Sequence, residues 1–237
     1  MKQFEYIFWD VDQTLLDFDK SQDYALKYAF RKYGRIIDRS IINLYARIND
    51  SYWKRLEKGE ISKAEVLSGR FLTLFEKLQI TDISVEEFAS VYQKALGSVY
   101  YYRDDSFLLC NELKKDFKQY VVTNGVTKTQ ESKLQLSGFD KVMDGIFISE
   151  AIGTPKPSPE FFEACFSQIP DFSKEKAIII GDSLTSDMLG GNRAGITCCW
   201  YNPYGEDADG ELYDTLTIDY EIRNLWEIKD ILYGRFC

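Results

Sequence analysis

A chain of 237 residues that is 45% hydrophobic and 15% aromatic can bury a core of its own, which excludes the disordered, collagen-like and low-complexity classes. Its 29 Lys and Arg against 38 Asp and Glu give a formal charge of -9, which repels a phosphate backbone and predicts no nucleic-acid polymer as partner. Histidine is absent, so Ser-His-Asp and Cys-His catalysis and every His-containing zinc site are excluded, and acid–base work falls to carboxylates, Lys, Tyr or Cys.

In chain order, the first element is the β-rich apolar run Phe4 to Trp9 (FEYIFW), which ends abruptly in acid, as a buried parallel strand does where it surfaces. From about 18 to 102 only helical periods follow. Leu67, Phe71, Leu74 and Leu78 form one stripe, and Val85, Phe88, Ala89, Tyr92 and Leu96 another. Further short apolar runs then alternate with helical stretches: Gln119 to Thr123, Gly145 to Ser149, Ala177 to Gly181, Thr197 to Tyr201 and Thr215 to Ile218. This alternation predicts an α/β fold, a doubly wound, Rossmann-like parallel sheet over 1–17 and 103–237 with an all-helical insert at 18–102. In such sheets ligands bind beyond the carboxyl ends of the strands, here Asp10, Thr123, Ser149 and Asp182. An insert straight after the first strand is expected above those ends, where it covers a ligand and excludes water. The five cysteines (Cys110, Cys165, Cys198, Cys199, Cys237) show no C-x-x-C spacing, so a reducing cytoplasm is expected. Tyr6 to Trp9 is too short for a signal peptide, and no later run reaches the ~20 apolar residues of a membrane span.

Four motifs carry chemistry. Asp10 and Asp12 in DVDQT are i and i+2 of an extended segment, about 7 Å apart and aimed to one side while Val11 points away. Two carboxylates in one volume call for a hard cation, a raised pKa, or both, although a capped, solvated turn uses the same residue types. Thr123-Asn124-Gly125, with Thr127 and Gln130 in capping-box spacing, presents donors and a helix N-terminus that suit an anion, or simply a capped loop. Lys156 in GTPKPSP is stiffened by Pro157 on one side, with Ser158 as N-cap and Pro159 at the first helical position. GDSLTSD places Asp182 at a strand end and Asp187 in the first turns of the next helix.

These motifs, in this order and nearly all ending strands, resemble the haloacid dehalogenase superfamily, and the helical insert looks like its C1-type cap. Within that superfamily, TNG and the run from GDSLTSD through GGNRAGI look most like bacterial pyrimidine 5'-nucleotidases. The resemblance implies Asp10 as a nucleophile that forms an aspartyl-phosphate and Asp12 as the general acid and then base. It implies Mg²⁺ held by the Asp10 side chain, the Asp12 main-chain carbonyl and Asp182, with Asp187 supporting them. It further implies that Thr123 and the backbone beside Asn124 bind the phosphoryl oxygens and that Lys156 offsets charge. The expected partner is a small phosphate ester, and the expected state a monomer or weak homodimer. Position 13 departs from the superfamily's usual glycine, being Gln, which leaves the turn after Asp12 open. Sugar-phosphate phosphatases, β-phosphoglucomutase-like mutases and a non-enzymatic phospho-acceptor module remain alternatives, whereas dehalogenases generally lack an acid at position 12. Phe18, Tyr52, Trp53 and Tyr101 are candidates to stack a base.

Overall fold

The computed structural model describes residues 3–205 and 215–235. Six strands, β1 (Tyr6–Trp9), β2 (Lys118–Thr123), β3 (Gly145–Ile148), β4 (Ala177–Gly181), β5 (Thr197–Tyr201) and β6 (Tyr220–Ile222), form one sheet in the order β3-β2-β1-β4-β5-β6. Every pairing is parallel. Helices cover both faces, which is why the central strands are apolar throughout rather than alternating. The first strand, β1, shows how the two faces are built. Phe8 projects to one side, where its ring meets Tyr120, Phe166 and Phe172. Trp9 projects to the other, its indole donating to Gln119 (3.0 Å), and Gln119 in turn donates to the Cys110 carbonyl (2.8 Å) of the helix that precedes β2.

The sixth strand lies five residues later than the sequence reading placed it. Thr215 to Ile218 is apolar enough to join the core, and Leu216 and Ile218 do pack there. Its backbone is claimed by a side chain instead: the Thr217 N–H donates to Asn192 (2.7 Å) and the Thr217 carbonyl accepts from it (2.8 Å). Pairing with β5 therefore begins only at Tyr220, opposite Cys199.

The chain divides into two compact units, Met1–Asp17 with Tyr102–Cys237, and Phe18–Tyr101. The second consists of α1 (Phe18–Lys32), α2 (Arg39–Glu57), α3 (Lys63–Leu78) and α4 (Val85–Leu96). Ser62 and Glu65 close a reciprocal cap on α3, and Ser84 caps α4. Of the two expected stripes, Phe71, Leu74, Phe88, Tyr92 and Leu96 are buried, whereas Leu67, Leu78, Val85 and Ala89 are half-buried edges. Rings of Phe30, Tyr45, Phe71, Phe88 and Tyr92 interlock edge to face at the centre. The first unit adds α5 (Ser106–Leu113), α6 (Thr127–Ser137), α7 (Ser149–Ile152), α8 (Pro159–Phe166), α9 (Leu189–Ala194) and α10 (Ile228–Leu232). Among the described residues no helix is long and apolar enough to cross a membrane.

Candidate active site

Three adjacent strands deliver the site. Asp10 directly follows β1, Thr123 ends β2 and Asp182 follows β4, and because these strands are in register their ends lie side by side. The Asp10 N–H donates to the Ile180 carbonyl (2.9 Å), which extends the ladder one residue into the site and fixes where the carboxylate begins. Beyond it the chain doubles back: Leu16 N–H donates to the Val11 carbonyl and Gln13 N–H to the Leu16 carbonyl, each at 2.8 Å. The turn brings the Thr14 hydroxyl to Asp182 (3.1 Å). Gln13 sits in the left-handed region at φ 71 and its amide oxygen accepts from Arg103 (2.7 Å), so the missing glycine is replaced by a strained residue with an anchored side chain.

Lys156 is buried at 1% exposure and all three of its ammonium protons are used, on Asp10 (2.7 Å), Asp187 (2.6 Å) and the Val122 carbonyl (2.8 Å). Its backbone is clasped by Asn124, whose side-chain amide donates to the Lys156 carbonyl and accepts from the Lys156 N–H, both at 2.9 Å. The Asn124 side chain thus holds the lysine in place. Ser158 takes the N-cap position of α8 with Pro159 first in the helix, but its side chain makes no cap hydrogen bond. Asp187 lies in a wide π turn, Leu184–Met188, ahead of α9, and its second oxygen accepts from the Ser183 N–H (3.1 Å). Gly181 makes room for it, because a Cβ there would overlap the Asp187 carboxylate.

Oxygens of Asp10, Asp182 and Asp187 lie within 4.8 Å of one another. Three carboxylates face one ammonium, and the effect on the acidity of Asp10 and Asp182 is large. Burial, with the neighbouring Asp187 charge, pushes the Asp10 carboxyl up to about 7 even though Lys156 opposes the rise. Burial and the Asp10 and Asp187 charges likewise push Asp182 well above the carboxylate range. Burial works against the Lys156 ammonium, but Asp10 and Asp187 outweigh it and push that group up. Two negative charges left over in an all-oxygen cluster are what a hard divalent cation neutralises, so the donor set fits Mg²⁺.

The Asp12 carboxylate has partners of its own. One oxygen is ion-paired with the fully buried Lys133 and the other accepts from Gln130 (2.5 Å), whose amide also donates to the Thr123 hydroxyl (3.1 Å). The capping box expected from Thr127 and Gln130 does not form. Val126 is the N-cap without a side-chain bond, and Glu150 accepts from the Thr127 N–H (2.8 Å) instead, which leaves Gln130 to reach Asp12. The Thr123 hydroxyl accepts from both Gln130 and the Gly125 N–H (3.1 Å), so its lone pairs are used and its role toward a ligand is that of a donor. Lys133 was not among the residues singled out from sequence. Gln130, Lys133, Leu134 and Ser137 form a buried face of α6 at i, i+3, i+4 and i+7, and three polar residues on the stripe that carries Leu134 are the signal the sequence holds. Of the proposed base-stacking residues, Tyr52 bonds Thr73 (2.9 Å) and Trp53 donates to Asn49 (3.2 Å), both within the helical unit, while Tyr101 is 38% exposed.

Residues 7–201 match the family described as Haloacid dehalogenase-like hydrolase. The chain belongs to this family. The hydrolase is 36% identical over 233 residues to the HAD hydrolase YfnB of Bacillus subtilis, covering 98% of this chain and 97% of that protein. It is also 36% identical to the pyrimidine 5'-nucleotidase PynA of Streptococcus pneumoniae, covering 97% and 95%. A crystal structure of YfnB bound to magnesium superimposes with a TM-score of 0.91 at 35% identity, over 98% and 99% of the two chains. The alternation of strands and helices thus led to the right fold class, and the motifs to the right family.

Proposed function

We propose that this hydrolase is a Mg²⁺-dependent phosphomonoesterase, a 5'-nucleotidase that acts on pyrimidine nucleoside monophosphates through an aspartyl-phosphate. The observation that carries the reading is Lys156, held by Asn124 and buried between Asp10 and Asp187, next to an all-oxygen cluster. The likeness to PynA along almost the whole chain supports the pyrimidine nucleotide as substrate.

In this reading a carboxylate oxygen of Asp10 attacks phosphorus while the ester P–O bond breaks, and Asp12 gives its proton to the departing oxygen, releasing the alcohol. The Asp12 carboxylate then takes a proton from water as that water attacks the phosphoryl group, which frees inorganic phosphate and restores both aspartates. The Thr123 hydroxyl and the backbone beside Asn124 bind the non-reacting oxygens, and Lys156 balances charge on Asp10. Asp10, the Asp12 main-chain carbonyl and Asp182 would hold Mg²⁺, with Asp187 behind them, and the ion would offset charge on the transferred group. Choice of the leaving group is assigned to the helical unit, Phe18–Tyr101. Phosphate release from a panel of nucleoside monophosphates and sugar phosphates with Mg²⁺ tests the reading. Pyrimidine nucleotides are expected to lead, and Asp10→Asn to abolish turnover while remaining folded; an active Asp10→Asn would overturn it.

A further inference from the structure

The proposed chemistry asks Asp12 to deliver and then collect a proton at one place, yet a short carboxylate on a turn has free rotation about two bonds. In this hydrolase that freedom is removed by residues outside the four motifs. Lys133, with its side chain 0% exposed, pairs with one Asp12 oxygen. Gln130, one turn earlier on the same face of α6, holds the other at 2.5 Å. Burying an ammonium on a helix face costs free energy unless it has a specific partner, and Asp12 supplies one. Gly125 belongs to the same arrangement, because a Cβ there would overlap the Gln130 side chain on its way to Asp12 and Thr123.

We propose that Lys133 and Gln130 are positioning residues for Asp12, a cradle on α6 that sets the orientation in which Asp12 meets the leaving-group oxygen. A carboxyl group accepts at about four lone-pair positions, so one donor on each oxygen leaves positions on both for the leaving group and water. The inference rests on the proposed function and deepens it. It also ties acid–base geometry to phosphate binding, since the Gln130 amide touches both Asp12 and Thr123.

The distinguishing property is leaving-group dependence. Proton donation matters for a basic alkoxide and little for p-nitrophenolate, whereas a loss of folding or of phosphate affinity would weaken both alike. For Lys133→Met we expect kcat/KM, which reports the steps up to the phosphorylated enzyme, to fall by ~10²-fold or more with a nucleoside monophosphate. With p-nitrophenyl phosphate the fall is expected to stay under about tenfold. Lys133→Arg should recover part of the loss, and Lys133→Met combined with Asp12→Asn should be no slower than Asp12→Asn alone. Gly125→Ala, which displaces Gln130 and leaves Lys133 in place, should show the same leaving-group pattern if Lys133→Met is poorly folded. Equal losses on the two substrates, or an additive double variant, would overturn the cradle while leaving the phosphatase reading intact. A wild-type protein without turnover, or a fully active Asp10→Asn, would overturn both.

Discussion

Asp10 is placed for chemistry at a cost to the fold, and Asp10→Asn should reveal that cost. Its carboxyl is pushed from the ordinary 3.8 up to about 7, with burial the leading cause. The sign follows from proton counting. Between pH 3.8 and about 7 the folded protein keeps a proton on Asp10 that the unfolded chain has lost, so stability falls as pH rises through this window. A shift of roughly three units at 1.36 kcal/mol each amounts to about 4 kcal/mol above pH 7, an upper figure because the cluster titrates together. Asparagine mimics the protonated carboxyl in shape and charge. In EDTA at pH 8, Asp10→Asn should therefore be more stable than wild type by up to ~4 kcal/mol, on the order of 10 °C in Tm for a domain of this size. At pH 4 the two should nearly coincide. Excess Mg²⁺ should raise the wild-type Tm, increasingly so as pH climbs through 7, and should raise that of Asp10→Asn much less. Urea and thermal melts across pH 4–8.5 check this. A wild type more stable than Asp10→Asn in EDTA at pH 8 would refute the claim that crowding Asp10 with Asp182 and Asp187 strains this site.

Gly181→Ala places a methyl group against the Asp187 carboxylate; denaturant melts should show a loss of about 1–3 kcal/mol, and turnover should fall because Lys156 loses a fixed partner. At Gln13, Ala keeps the left-handed strain (φ 71) and loses the Arg103 hydrogen bond, so Gln13→Ala should cost about 1–2 kcal/mol, while Gln13→Gly removes the strain and should melt above it. Burial pushes the Cys165 and Cys198 thiols up to about 12, and Cys110 and Cys199 are buried and pushed up as well. In a Cys237→Ser background at pH 8, a disulfide reagent should label native protein no faster than it opens, and should label all four thiols in urea.

Local pattern was enough wherever hydrogen bonding and burial agree along the chain. The run Ala177 to Gly181 is apolar, β-branched and bounded by polar residues, so it reads as a buried strand and is one, with Asp182 at its end. Thr215 to Ile218 has a similar pattern and is not a strand, because Asn192, more than twenty residues earlier, takes its backbone groups. The Thr127–Gln130 spacing failed in the same way: a capping box competes with any nearby acceptor, and Glu150 from α7 won that competition. Lys133 gave no signal as a single letter, since a lysine on a helix usually faces solvent, and Gln130 signalled only the capping box that does not form.

The fold class, the family and the polar residues at the strand ends follow from sequence alone, because apolar runs alternating with helical stretches predict parallel strands, whose carboxyl ends, Asp10, Thr123 and Asp182 among them, lie on one side of the sheet whatever the side chains do next. Pairings are another matter. That Asn124 holds the Lys156 backbone, that Lys156 spends its three protons on Asp10, Asp187 and Val122, and that Asp12 turns to α6 are outcomes of packing among residues up to 146 positions apart. A buried charge takes whichever partner the surrounding core brings within reach, and only the tertiary structure determines which one that is.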